Sequence, residues 1–170
     1  MAKLVVHPLA LAFNIFGLLV WVIALGGTGG ATYSCQTTNS YEYCAKTYQW
    51  EWWNLWFEFA LLVALFITSF IEQAFKRGRL VFLAFFVMVT QGIMWSAHDF
   101  ITTLVLGPIM LRDIGQDANN AATAGFVLLG MTNFVLIIVL GKDFGYDAAA
   151  HNSYQQTNSA AIQFQTSAPV

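Results

Sequence analysis

Long apolar segments alternate with short polar segments along this chain. Four apolar segments are long enough to cross a hydrocarbon core of about 30 Å as helices that rise about 1.5 Å per residue. They cover roughly residues 4–25, 53–75, 80–106 and 121–140. The pattern therefore predicts an all-α membrane protein whose four helices form an antiparallel transmembrane bundle over residues 1–142. Residues 143–170 are rich in Ala, Ser, Gln, Asn and Thr, which is typical of a polar tail without its own core.

The second segment has the complete pattern of a membrane span. Four tryptophans lie at or just before its start, an almost uncharged apolar run follows, and a basic KRGR sequence at residues 76–79 comes after it. Tryptophans concentrate where a helix meets the membrane surface, so they predict an aromatic belt or an interface. Glu58 interrupts the apolar run, and a charge there is costly in lipid, so we expect it to face protein or water. The tryptophans are Trp50, Trp52, Trp53 and Trp56.

The polar segments between the spans carry their own signals. A glycine-rich GGTGG sequence, Gly26 to Gly30, predicts a flexible exit from the membrane after the first span. Cys35 and Cys44 follow in one short loop and predict a disulfide that staples it. A redox-active pair is the alternative, but catalytic dithiols usually have the closer Cys-x-x-Cys spacing. The KRGR sequence predicts a short turn on the opposite side of the membrane.

Basic residues predict the orientation of the bundle. Cytoplasmic loops of membrane proteins carry an excess of lysine and arginine. Placing both termini and the KRGR turn in the cytoplasm collects five of the seven basic residues there: Lys3, Lys76, Arg77, Arg79 and Lys142. The cysteine loop then lies outside, where disulfides persist. We therefore expect an integral, multi-pass protein of the plasma membrane or a secretory-pathway membrane, with a cytoplasmic tail.

Composition supports the membrane assignment and excludes several functions. The chain is 58% hydrophobic and only 9% charged, which is too apolar for an ordinary soluble domain. A net charge of −2 without a clustered basic surface argues against a nucleic-acid partner. A haem-binding bundle needs paired histidines inside the membrane, and His98 alone comes near a span. We therefore predict no enzyme activity, cofactor or metal, and expect as partners the lipid bilayer and either further copies of the chain or other membrane proteins.

The third span carries polar residues at helical spacing. Gln91, Trp95 and His98 or Asp99 recur every three to four residues and so share one face, which we expect to point into the bundle. Glu58 and Asp99 lie at similar depth. The sequence thus predicts an intramembrane polar cluster of Glu58, Gln91, His98 and Asp99. It is either a proton or cation site, because crowded carboxylates favour a shared proton, or a hydrogen-bonded structural set whose His98 and Asp99 reach interfacial water.

The layout resembles that of MARVEL-like and claudin-like tetraspan proteins. Gly30 precedes Cys35 in the sequence GATYSC, and Cys44 follows after eight further residues. This spacing is similar to the claudin motif Gly-Leu-Trp-x-x-Cys and its second cysteine, although the tryptophan is absent and the loop has only about 24 residues. Four spans, a short basic turn and a polar tail resemble the MARVEL group, which is the preferred assignment.

The resemblance implies a non-enzymatic scaffold. Such tetraspans associate with themselves or with neighbours to organise membrane domains, vesicles or junctions. A second interpretation is an accessory subunit of a larger transporter, channel or energy-converting complex, in which Glu58 and Asp99 meet charges of a partner. A proton-coupled carrier is a third, although the first two spans do not visibly repeat in the last two.

Overall fold

The structure is a computed structural model that describes residues 8–106 and 113–141. These residues form five helices: α1, Pro8–Thr38; α2, Tyr41–Thr47; α3, Gln49–Thr68; α4, Glu72–Leu106; and α5, Asp113–Gly141. Helices α1, α3, α4 and α5 are long and apolar enough to cross a membrane. The described residues contain no strand, so the prediction of an all-α bundle with four spans is confirmed. The predicted tail, residues 143–170, lies outside the described residues.

Helices α1 and α5 run antiparallel and approach each other at backbone distance. A Cβ atom added to Gly27 of α1 would overlap the backbone of Ala122, and one added to Gly125 of α5 would lie 2.6 Å from the Cα of Ala24. Lipid tails are as apolar as leucine side chains, so helices in a membrane associate mainly through close packing and hydrogen bonds. The glycines allow that packing, and α1 and α5 form the most extensive pair in the bundle.

The glycine-rich sequence at residues 26–30 is part of α1, so the prediction of a flexible exit is wrong. A glycine lowers helix stability by about 1 kcal/mol relative to alanine. Here Gly27 lies against Ala122, and a Cβ atom added to Gly30 would lie 2.8 Å from the Cβ of Ala118. These contacts with α5 offset the low helix propensity. Helix α1 has 31 residues, a length of about 46 Å, so it extends beyond the hydrocarbon core at one end.

The turn between α3 and α4 precedes the KRGR sequence instead of coinciding with it. Helix α3 ends at Thr68, and α4 begins at Glu72. The Thr68 hydroxyl donates to the carbonyl of Ala64 at 2.8 Å, and the Ser69 hydroxyl donates to that of Leu65 at 2.6 Å. Hydroxyls that bond preceding carbonyls compete with the backbone hydrogen bonds and weaken the helix locally. The KRGR sequence then belongs to the first turns of α4.

A single apolar core fills the space between the four long helices. Its largest fully buried side chains come from α3, α4 and α5: Leu55, Leu62, Leu65, Phe86, Ile93, Phe126, Leu129, Leu136 and Leu140. Trp21 connects α1 to this core by donating a hydrogen bond from Nε1 to the carbonyl of Leu55 at 2.9 Å. Many large apolar side chains remain exposed on the outside of the bundle. This outer surface suits contact with lipid or with other membrane proteins.

The Gly27 to Ala122 contact predicts that two adjacent glycines differ in how they tolerate substitution by alanine. Gly27→Ala places a methyl group on the α5 backbone and is expected to lower the free energy of unfolding by about 1–3 kcal/mol. Gly26→Ala is the matched control, because nothing lies within 4 Å of the Cβ position there. Unfolding by denaturing detergent, followed by tryptophan fluorescence, measures both. Equal stability of the two variants would contradict the close packing of α1 and α5.

Candidate functional site

Three fully buried polar side chains lie between α1, α3 and α5 and form what we call the central polar group: Asn14, Glu58 and Asn133. Asn133 donates from Nδ2 to Glu58 Oε2 at 3.0 Å, which connects α5 to α3. Asn14 donates from Nδ2 to the carbonyl of Leu62 at 3.0 Å, which connects α1 to α3 one helical turn away. The group therefore holds the three helices together at the middle of α3.

The central polar group contains more hydrogen-bond acceptors than donors. Asn14 Oδ1, Glu58 Oε1 and Asn133 Oδ1 are buried and have no hydrogen-bond partner among the described residues. A buried acceptor without a donor costs about 1–3 kcal/mol. The arrangement can therefore accept a proton or another hydrogen-bond donor.

Asn54 connects α3 to α4 nearer the end of the bundle that carries the cysteines, which we call the disulfide end. Its Nδ2 donates to the carbonyl of Gly92 at 3.1 Å and to Ser96 Oγ at 3.0 Å. A Cβ atom added to Gly92 would lie 2.5 Å from Asn54 Oδ1, so the amide needs a glycine opposite it. The inner face of α4 therefore carries Gly92 and Ser96.

The structure separates the members of the predicted intramembrane cluster. Glu58 is buried against Asn133, whereas Gln91 and His98 are exposed on the outer face of α4. Asp99 is partly buried and interacts electrostatically with Glu51, which precedes Glu58 by seven residues, or about 10 Å along α3.

Sequence periodicity placed the polar residues of α4 on one face, but the prediction that this face points into the bundle is wrong, because Gln91 and His98 are exposed. Helices in lipid expose apolar side chains outward, so a polar face is normally expected inside. In α4 the inner face is instead the one with small residues, which lets Asn54 reach the backbone. The partner of Glu58, Asn133, was visible in the sequence only as an amide inside a span.

Three of the four tryptophans of the predicted aromatic belt are exposed. Trp50, Trp53 and Trp56 lie on the outer surface, with 52%, 65% and 53% of the residue exposed. Trp52 instead turns inward and donates from Nε1 to Thr32 Oγ1 of α1 at 3.2 Å. The belt therefore contributes both to the surface and to the packing of α3 on α1.

A groove of about 340 Å³ separates the outer faces of α3 and α4, and we call it the α3–α4 groove. Aromatic and other large side chains line its walls, the exposed amide of Gln91 lies beside them, and Asn54 and Gly92 lie at its base. The wall residues are Trp50, Trp53, Phe57, Met88, Val89 and Trp95.

A disulfide joins Cys35 of α1 to Cys44 of α2, as predicted, with a Cα to Cα distance of 5.9 Å. Cys44 is fully buried. Ser40 caps α2 because its Oγ accepts a hydrogen bond from the backbone N–H of Tyr43 at 3.4 Å. The disulfide therefore connects the C-terminal end of α1 to α2, the short helix that leads into α3.

Tyr48, between α2 and α3, packs against α4. Its ring stacks on that of Phe100 with 6.1 Å between the ring centres. Burial raises the pKa of the Tyr48 phenol above its ordinary value, and the nearby Glu51 carboxylate and Tyr43 add to the effect. The phenol is therefore neutral at physiological pH and serves as a packing group.

The chain is similar to one protein of known role. It is 29% identical over 144 residues to the high osmolarity signaling protein SHO1 of Yarrowia lipolytica (strain CLIB 122 / E 150). The match covers 85% of this chain and 39% of that protein, so the chain spans about two fifths of the length of this relative. No protein-family model matches the chain, and no solved structure matches it significantly.

The similarity and the four apolar helices together identify a multi-pass, four-span membrane protein. They support the tetraspan part of the resemblance found in the sequence. The narrower MARVEL-like or claudin-like assignment is not confirmed by any of these comparisons.

Removal of the disulfide is expected to destabilise the disulfide end of the bundle. The two cysteines are nine positions apart, and closing so short a ring contributes about 2–3 kcal/mol in the chain-entropy model. Replacing both Cys35 and Cys44 by serine should lower the free energy of unfolding by this amount, measured in detergent. A reductant should lower the stability of the wild type to the same level and leave the double variant unchanged. A wild type that does not respond to reductant would contradict a stabilising disulfide.

Proposed function

We propose that this chain is the membrane-embedded part of a signalling assembly and acts as a non-enzymatic scaffold that binds neighbouring chains laterally. The similarity to a high osmolarity signaling protein covers most of the chain and supports a role in the response to osmotic stress. The observation that carries the scaffold proposal is the exposed amide of Gln91 beside the α3–α4 groove.

The position of Gln91 favours a protein partner over lipid. The apolar segment of α4, residues 80–106, places Gln91 about 16 Å from one end and about 22 Å from the other. At that depth the side chain lies inside the hydrocarbon core. Lipid tails cannot hydrogen-bond an amide, and leaving one without a partner is costly. A second transmembrane helix can supply both a donor and an acceptor.

The shape of the α3–α4 groove suits the side chains of a neighbouring helix. Trp53 and Trp95 provide large rigid surfaces, which bury much area with little loss of side-chain freedom. An amide carries a donor and an acceptor, so two copies of Gln91 can pair symmetrically across a two-fold axis. These features support self-association, which is the homo-oligomer expected from the sequence.

The predicted orientation forms part of the proposal. The disulfide end lies outside the cell or in the lumen of the secretory pathway, because a structural disulfide persists in an oxidising compartment. Both termini then lie in the cytoplasm. The MARVEL-like assignment also stays a proposal, supported by the four spans and by the disulfide between the end of α1 and α2.

Gln91→Leu is expected to weaken self-association. An interhelical hydrogen bond in a membrane contributes about 0.6–1.7 kcal/mol, so the dissociation constant should rise about 3- to 20-fold. Energy transfer between labelled full-length chains in lipid vesicles, measured over a range of protein-to-lipid ratios, gives this constant. Met94→Leu is the matched control, because Met94 is exposed on the same helix without lining the groove.

Two outcomes would contradict the scaffold proposal. Unchanged energy transfer in the Gln91→Leu variant would exclude the groove as the contact between copies. The mass of the native particle in mild detergent provides the second test. A particle that contains only this chain and is heavier than one copy of 18.9 kDa supports a self-associating scaffold. A particle dominated by another polypeptide would instead indicate an accessory subunit of a larger complex.

A segment exchange tests the role in osmotic signalling. The part of the Yarrowia lipolytica relative that matches this chain is replaced by the chain itself, and growth on high-osmolarity medium is measured. We expect the chimaera to support growth, because the matched segment covers 85% of this chain. Gln91→Leu in the chimaera should reduce growth, and Met94→Leu should not. Failure of a chimaera that reaches the membrane at normal abundance would contradict a shared signalling role.

A further inference from the structure

The contact between Glu58 and Asn133 leaves two oxygens unsatisfied. Asn133 Nδ2 donates to Glu58 Oε2 at 3.0 Å. The other oxygen of each group, Glu58 Oε1 and Asn133 Oδ1, is buried without a hydrogen-bond partner among the described residues. An ionised carboxylate and an amide oxygen are both pure acceptors. With Glu58 ionised, neither oxygen can therefore satisfy the other.

We propose that Glu58 and Asn133 form a proton-binding site in which Glu58 Oε1 carries one proton and its O–H donates a hydrogen bond to Asn133 Oδ1. The carboxylate takes up one proton from a hydronium ion of the bulk solvent, which is left as water, and becomes a neutral acid. The acid and the amide then face each other through two antiparallel hydrogen bonds, O–H to Oδ1 and N–H to Oε2. One proton thus satisfies both of the unpaired oxygens and removes a charge from the centre of the bundle.

Among the described residues, no positively charged side chain lies at the level of Glu58. The described part of α1 contains no Asp, Glu, Lys, Arg or His. On α4, the bond between Asn54 and Gly92 sets the level of Glu58 near Met88. Counted along the helices at about 1.5 Å per residue, the nearest charged groups that the structure describes on these helices lie about 10 Å or more from that level. They are Glu51 on α3, Arg79 and His98 on α4, and Asp117 on α5. A buried charge without a partner is costly, which favours the neutral pair.

A bound cation is the competing occupant. Asn14 Oδ1 lies about one helical turn from Glu58, because its amide is fixed on the Leu62 carbonyl, and it could contribute a third oxygen. The site then has a single carboxylate. The described residues contain no group of three or more His, Cys, Asp or Glu side chains that could hold a metal. Hard cations take several oxygen ligands, with carboxylates prominent among them. The donor set therefore suits a proton better than a cation.

The proton acts as a link between α3 and α5. In the neutral state two hydrogen bonds join these helices at the middle of the bundle. Loss of the proton would remove one of them and leave a charge facing the amide oxygen. The pair therefore couples the side-chain contact between α3 and α5 to the occupancy of a single proton.

Infrared spectroscopy of the full chain in lipid vesicles at neutral pH tests this site. The wild type should show the C=O stretch of a protonated carboxyl group, and Glu58→Gln should lack it. Glu58→Gln should otherwise keep the ratio of folded to unfolded protein within about twofold, since a glutamine amide makes both hydrogen bonds with Asn133. Asn133→Leu should shift the band, because the acid loses its amide partner. A wild-type spectrum that does not differ from that of Glu58→Gln in this region would overturn the proposal.

Further measurements separate the remaining alternatives. A band that persists unshifted in Asn133→Leu would show a protonated Glu58 without the amide pair and would also overturn the proposal. If Asn133→Leu does not fold, the carboxyl carbon shift of Glu58 in solid-state NMR of the wild type distinguishes acid from carboxylate. A wild-type stability that rises with sodium or potassium concentration, and does not do so in Glu58→Gln, would assign a cation site instead.

Discussion

The close approach of α1 and α5 is the constraint on which the bundle depends. Hydrophobic burial does not hold helices together in lipid, so backbone proximity must supply the attraction. Gly27 of α1 lies against Ala122 of α5, and Gly125 of α5 lies against Ala24 of α1. The absence of a side chain at these two glycines allows the close approach. That contact keeps α1 helical through its glycines, and a helical α1 brings Cys35 to the position where it can bond Cys44.

Hydrogen bonds between helices supply the second source of specificity. Asn14, Asn54 and Asn133 each connect α3 to a different neighbour, so α3 is the centre of the polar contacts while α1 and α5 form the tightest apolar pair. Each bond is modest in a membrane, but together they fix the rotation of α3 about its axis. That rotation buries Glu58 and turns Trp50 and Trp53 to the outside.

The two polar features of the bundle have different environments and suit different roles. Glu58 is fully buried and paired with an amide of the same chain, so it is suited to holding a proton. Gln91 is exposed at the depth of the hydrocarbon core beside an aromatic groove, so it is suited to meeting another helix. In the scaffold that we propose, neighbours bind on the outer face while the core remains closed.

The amino-acid sequence by itself determined the class of protein, the four spans and the disulfide, because segment length, apolar composition and cysteine placement are local properties. It could not determine which face of a helix points inward. Periodicity put Gln91 and His98 on one face of α4, but only packing showed that Asn54 needs the opposite face with Gly92. The helical state of residues 26–30 and the pairing of Glu58 with Asn133 were likewise decided by tertiary contacts, since both depend on α5, which is distant in the sequence and adjacent in the fold.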